Sequence, residues 1–143
     1  MNTFLNGHRF ALAVKRCPPS GSLVPLVEVE MAGRNPAFLP VIGKVDTGAV
    51  RTFLDFTTAK TLGIDDPTTG YKSQGKARTA TDEEFDYFVH TVLVRIADTG
   101  SPGVMFPLDA AVAAKVNRNL FGADWLRNVC LAFDSAAVHF LKG

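Results

Sequence analysis

The sequence has little cysteine, no clustered histidine, no run of one charge and no long apolar stretch, and each shortage removes a class of function. Cys17 and Cys130 are its two cysteines. They lie far apart, without the paired spacing of a zinc site or the density of a disulfide scaffold, so reduced thiols are expected unless the fold brings the two together. His8, His90 and His139 stand singly, and no metal or organic cofactor is implied. Fifteen basic residues against fourteen acidic ones give a formal charge of +1, with no basic footprint for nucleic acid. No segment approaches the roughly 18 consecutive apolar residues of a membrane span. The opening "MNTFLNGHRFALAVKR" is interrupted by Asn6, Gly7, His8 and Arg9, which does not fit a signal-peptide core. A soluble, cytoplasmic protein without membrane or nucleic-acid partners is the expectation.

What the chain does have is apolar material in strand-like patterns. With 143 residues, 47% of them hydrophobic, it can bury one core but cannot hold a two-lobed enzyme. In "LVEVEM", Val27, Val29 and Met31 alternate with Glu28 and Glu30 as in a half-buried strand. The turn residues of "AGRNPA" follow, then a second apolar run, "FLPVIGKV", which makes a hairpin and delivers the chain to Asp46. "LDFTTAKTLGI" predicts one short helix, begun by Asp55 or Thr57 and ended by Gly63. "FDYFVHTVLVRI" predicts a long strand, and "VMFPLDAAVAAKVN" is read as strand because Val104, Phe106 and Leu108 alternate, although its alanines also suit a helix. "DWLRNV" allows a turn or two of helix, and "CLAFDSAAVHFL" reads as two short strands around Asp134 and Ser135. Trp125 is a core candidate, and His90 a hydrogen-bonded structural histidine.

The tripeptide Asp-Thr-Gly occurs twice, at Asp46-Thr47-Gly48 and at Asp98-Thr99-Gly100. A carboxylate that activates water needs a rigid support and room for substrate. Asp46 follows an apolar strand and precedes Thr52, Phe53 and Leu54, which return the chain to the interior. Asp98 runs instead into Gly100, Ser101, Pro102 and Gly103, which predict a hairpin connection. Asp46 is therefore the candidate catalytic residue, and the stretch between the copies is too short for a second lobe.

"VDTGA" at Val45 to Ala49, "TFL" at Thr52 to Leu54 and "NLFGADWL" at Asn119 to Leu126 together resemble the retropepsin-like aspartic proteases, the family of the retroviral proteases and small bacterial relatives. The likeness runs over residues 24 to 141 in order and character. It implies a mainly β, closed-barrel fold equivalent to one lobe of an acid protease, with one or two short helices. Residues 24–143 would form the protease domain, and residues 1–23 an N-terminal strand or extension that can contact a dimer partner.

By resemblance, Asp46 is the catalytic carboxylate, Thr47 knits two active-site loops together, Gly48 offers its carbonyl to substrate and Ala49 lines the adjoining wall. Leu120, Phe121 and Gly122 support the loop from beneath, and Ala80, Thr81, Asp82, Glu83, Glu84 and Phe85 fall where the family has its flap. Two departures stand out: Val50 and Ala123 occupy positions where retroviral members pair an acid with an arginine, and the flap lacks glycine. The carboxylates of "DEEFD" are read as a solvated hairpin tip or as a selector of basic peptides.

A single carboxylate cannot serve at once as base toward water and acid toward the carbonyl oxygen, whereas two that share a proton can. The expected enzyme is thus an endopeptidase acting on peptide or protein substrates as a homodimer, with Asp46 of two chains paired across a twofold axis. The strands "RFALAV" and "AAVHFL" are either its edges or ordinary core strands. The alternative is a catalytically silent dimerisation or peptide-binding module of the same fold; a surface-interaction β-domain with no dyad would require the likeness at Leu120 to Gly122 to be chance.

Overall fold

A computed structural model describes the backbone of residues 9–13, 15–17, 22–98, 101–133 and 137–142, and side chains over 26–96 and 104–128. The chain is mainly β, in the order β1 (Arg9–Ala13), β2 (Lys15–Cys17), β3 (Ser22–Ala32), β4 (Leu39–Val45), β5 (Phe53–Leu54), α1 (Phe56–Thr61), β6 (Ser73–Arg78), β7 (Glu84–Asp98), β8 (Ser101–Val112), β9 (Leu120–Phe121), β10 (Val129–Phe133) and β11 (Ala137–Lys142). A 3-10 helix, Ala123–Arg127, follows β9.

The larger sheet has the order β2-β3-β4-β9-β5-β8-β7-β6, and an additional β3–β7 pairing joins strands from its two sides. The longest hairpin is β7–β8, whose register sets Val92 opposite Leu108, Val94 opposite Phe106 and Ile96 opposite Val104. All six side chains are buried, so the alternation in the two sequences marks one shared core face. "VMFPLDAAV" is strand throughout, since its branched and aromatic residues face those partners; helix would have scattered them. Val27, Val29 and Met31 of β3 complete that face.

The helix is short because its boundaries are specified on both sides. Asp55 accepts the Thr58 N–H at 2.7 Å, and Gly63 takes φ +83, where an added Cβ would stand 2.9 Å from the Asn35 nitrogen. Ala59, Leu62 and Ile64 bury its inner side. His90 is buried, with Nε2 2.8 Å from the Pro67 carbonyl oxygen, which fits the structural role read from sequence.

A second, three-stranded sheet has the order β1-β11-β10. The two strands considered for edge pairing thus pair with each other within one chain, Phe10 opposite Phe140 and Leu12 opposite Val138. β11 lies between two neighbours, and the open edges of this sheet among the described residues belong to β1 and β10. Cys17 is on β2 and Cys130 on β10, in different sheets. No helix among the described residues is long and apolar enough to cross a membrane.

Candidate active site

Asp46 is the first residue beyond β4, and the neighbouring strand fixes where it stands. β4 runs parallel to β9, with Lys44 opposite Leu120 and Val45 opposite Phe121. The ladder continues as the Asp46 N–H donates to the Phe121 carbonyl at 2.9 Å. Gly43 permits this approach, since a Cβ there would lie 2.4 Å from the Phe121 ring. Beyond the strand, Asp46 Oδ1 accepts the Gly48 N–H at 3.0 Å, and the Ala49 N–H returns to the Asp46 carbonyl at 3.1 Å. The carboxylate is half-buried, one oxygen engaged by its own turn, while Thr47 and Gly48 are exposed.

Leu120, Phe121 and Gly122 run beside the loop that follows Asp46. The Ala123 N–H donates to the Ala49 carbonyl at 2.8 Å, and a Cβ on Gly122 would come within 2.5 Å of the Arg51 carbonyl. Phe121 stacks on Trp125 with centroids 4.6 Å apart, and Phe106 meets Trp125 edge-on at 5.6 Å. Trp125 is 1% exposed and is core, as expected.

Three residues that sequence reading did not single out by role hold this region together. Thr52 is fully buried; its hydroxyl accepts the Trp125 indole N–H at 2.8 Å and the Gly122 N–H at 3.2 Å, and donates to Asp124 Oδ1 at 2.9 Å. Asp124 Oδ2 accepts the Thr52 N–H at 2.8 Å. This Thr52–Asp124 clasp joins the same two segments that carry Val50 and Ala123. Asn119 forms a second clasp: it accepts the Asp55 N–H and donates to the Ile42 carbonyl and the Thr58 hydroxyl. Thr52→Val should strand two buried donors and a carboxylate oxygen, lowering stability by about 3 kcal/mol. A urea titration followed by the emission of Trp125, the one tryptophan in the chain, measures it.

Asp46 opens into a cleft of about 690 Å³. Lys44, Gly48, Ala49, Phe53 and Leu120 line it with Asp46, together with Ala77 to Ala80 and Phe85 from the β6–β7 hairpin and Lys115 to Arg118 from the segment after β8. Phe53 meets Phe85 and Tyr87 edge-on, at 6.0 and 5.7 Å, which anchors the β6–β7 hairpin at the cleft. Of the six flap candidates, Ala80 and Phe85 line the cleft, and Glu84 and Phe85 belong to β7 itself. The tip turns at Asp82, whose φ of +66 is the left-handed conformation usually given to glycine. Asp82 therefore makes the turn of a hairpin tip that lacks glycine.

The second tripeptide is elsewhere. Asp98 ends β7 opposite Ser101 of β8, at the opposite end of the strand from Glu84, and Thr99 and Gly100 lie outside the described residues. Midway along β7 and β8, the Thr91 hydroxyl and Lys72, which precedes β6, hydrogen-bond Asp109, and Lys72 first and then Thr91 hold its carboxyl below the usual range.

Comparison with known proteins returned no matching family model and no matching curated protein. Among solved structures the chain is similar to a retropepsin-like aspartic protease from Rickettsia conorii, with a TM-score of 0.55 and 17% identity over 95% of this chain and 94% of that one. At that identity the likeness is one of fold: the chain has a mainly β, retropepsin-like fold along nearly its whole length.

Proposed function

We propose that the protein is an aspartic endopeptidase, active as a homodimer, in which the Asp46 carboxylates of two chains activate one water molecule. The observation that carries this reading is Asp46 itself: a carboxylate fixed by a strand ladder and an Asx turn, lining an open cleft. In the proposed reaction one carboxylate takes a proton from water as the oxygen attacks the scissile carbonyl, and the other protonates the carbonyl oxygen. The tetrahedral diol then collapses, the C–N bond breaks, and a proton passes to the leaving nitrogen.

Thr47 and Gly48 are exposed in the single chain, as a loop that meets its twofold mate requires. Val50, 85% exposed beside that loop, and Leu126, 50% exposed, supply apolar surface for the interface, and the open edge of β1 gives residues 1–23 a place in it. Thr47 would tie the two loops together, the Gly48 carbonyl would receive substrate backbone, Ala49 would form the adjoining wall, and the hairpin from Ala80 to Phe85 would cover the bound peptide. Digestion of a peptide library by wild type and Asp46→Asn side by side tests the proposal. Peptide binding without cleavage by the wild type would favour a silent module of the same fold.

A further inference from the structure

The cleft is unusually cationic for a site built around carboxylates: Lys44, Arg78, Lys115 and Arg118 line it, and Asp46 is the acidic residue among its described lining. Two of these four cations are paired with the acidic tip of the β6–β7 hairpin. Asp82 is bound to Arg78 at 2.9 Å, Glu83 to Lys115, and Glu84 lies 3.4 Å from Lys76. Each of these three carboxylates has one of the chain's own cations beside it.

Lys44 differs from Arg78 and Lys115 in forming no ion pair with any described residue. It stands two positions before Asp46, and strand alternation sets both on the same side of the chain, with Val45 between them buried in the core. Its backbone is fixed on both sides, by the Asn119 carbonyl that accepts its N–H at 2.9 Å and pairing with Leu120 on one, and by pairing with Leu26 of β3 on the other. Lys44, half-buried as a residue and lining the cleft, is a charge that a substrate side chain beside the scissile bond can neutralise.

We infer that Lys44 is a specificity-determining residue that selects peptides with a carboxylate side chain next to the cleaved bond. The inference rests on the cleft's being the peptide site. In a twofold dimer each chain contributes one Lys44, so the preference applies on both sides of the bond.

The test uses full-length wild type, Lys44→Met and Lys44→Glu, with peptides that differ only in carrying Glu, Gln or Lys beside the scissile bond. Cleavage is measured at about pH 6, where a peptide Glu is ionised. Binding of hydrolysis-resistant versions, with methylene in place of the scissile carbonyl, is measured in parallel at low and high salt. Wild type should favour Glu over Gln by about tenfold in both assays, less so at high salt. Lys44→Met should abolish that preference, and Lys44→Glu should shift it to the Lys peptide. Trp125 emission checks that each variant is folded. The same ranking of peptides in all three proteins would overturn the inference whether or not cleavage occurs. Lys44-dependent binding of the Glu peptide with no cleavage would leave it standing while removing the endopeptidase reading.

Discussion

Asp46→Asn should lose peptide cleavage by about four orders of magnitude in kcat, because the amide removes the base that takes the water proton and the acid that the shared proton supplies. The fold should survive. Asparagine keeps an oxygen where Oδ1 accepts the Gly48 N–H, and the Phe121 and Ala49 contacts of residue 46 are made by backbone. The urea midpoint should therefore move by no more than about 0.5 kcal/mol of stability. Asp98→Asn, at the hairpin between β7 and β8, should retain most activity. Cleavage by pure Asp46→Asn at wild-type rate would remove Asp46 from the chemistry.

Specific activity should vanish on dilution through the dimer dissociation range, since separating the chains splits the pair of carboxylates. The surface available for such pairing is the loop after Asp46, where Thr47 and Gly48 are exposed and Val50 is 85% exposed. Sedimentation and activity should share one midpoint concentration. A fully active monomer would rule the paired site out.

The parts of this molecule that were legible in sequence are those whose pattern is local. Period-two alternation in "LVEVEM" and across "VMFPL" gave β3 and β8, because facing residues share one core. Asp55 and Gly63 bounded the helix by the capping and left-handed conformations that those residue types favour. Apolar against Gly-Pro flanks separated Asp46 from Asp98. What was not legible depends on contacts between distant segments. Thr52 meets Asp124 and Trp125 across more than seventy residues of chain, and Asn119 reaches Ile42 and Thr58 from the residue before a two-residue strand too short to show a pattern. Lys44 looked like a strand residue until the cleft showed which side it lines. The pairing of β1 with β11 was undecided for a related reason: an apolar strand reads the same whether its partner belongs to its own chain or to another.

Two chains sharing one dyad can be tested by mixing wild type with inactive Asp46→Asn protein and allowing subunits to exchange. A mixed dimer holds a single carboxylate and should be inactive, so total activity should follow the square of the wild-type fraction. A ninefold excess of the variant should leave about one tenth of the activity per wild-type chain. Activity that stays proportional to the amount of wild type, at every ratio and under conditions where exchange is shown to be complete, would contradict a site built from two Asp46 residues.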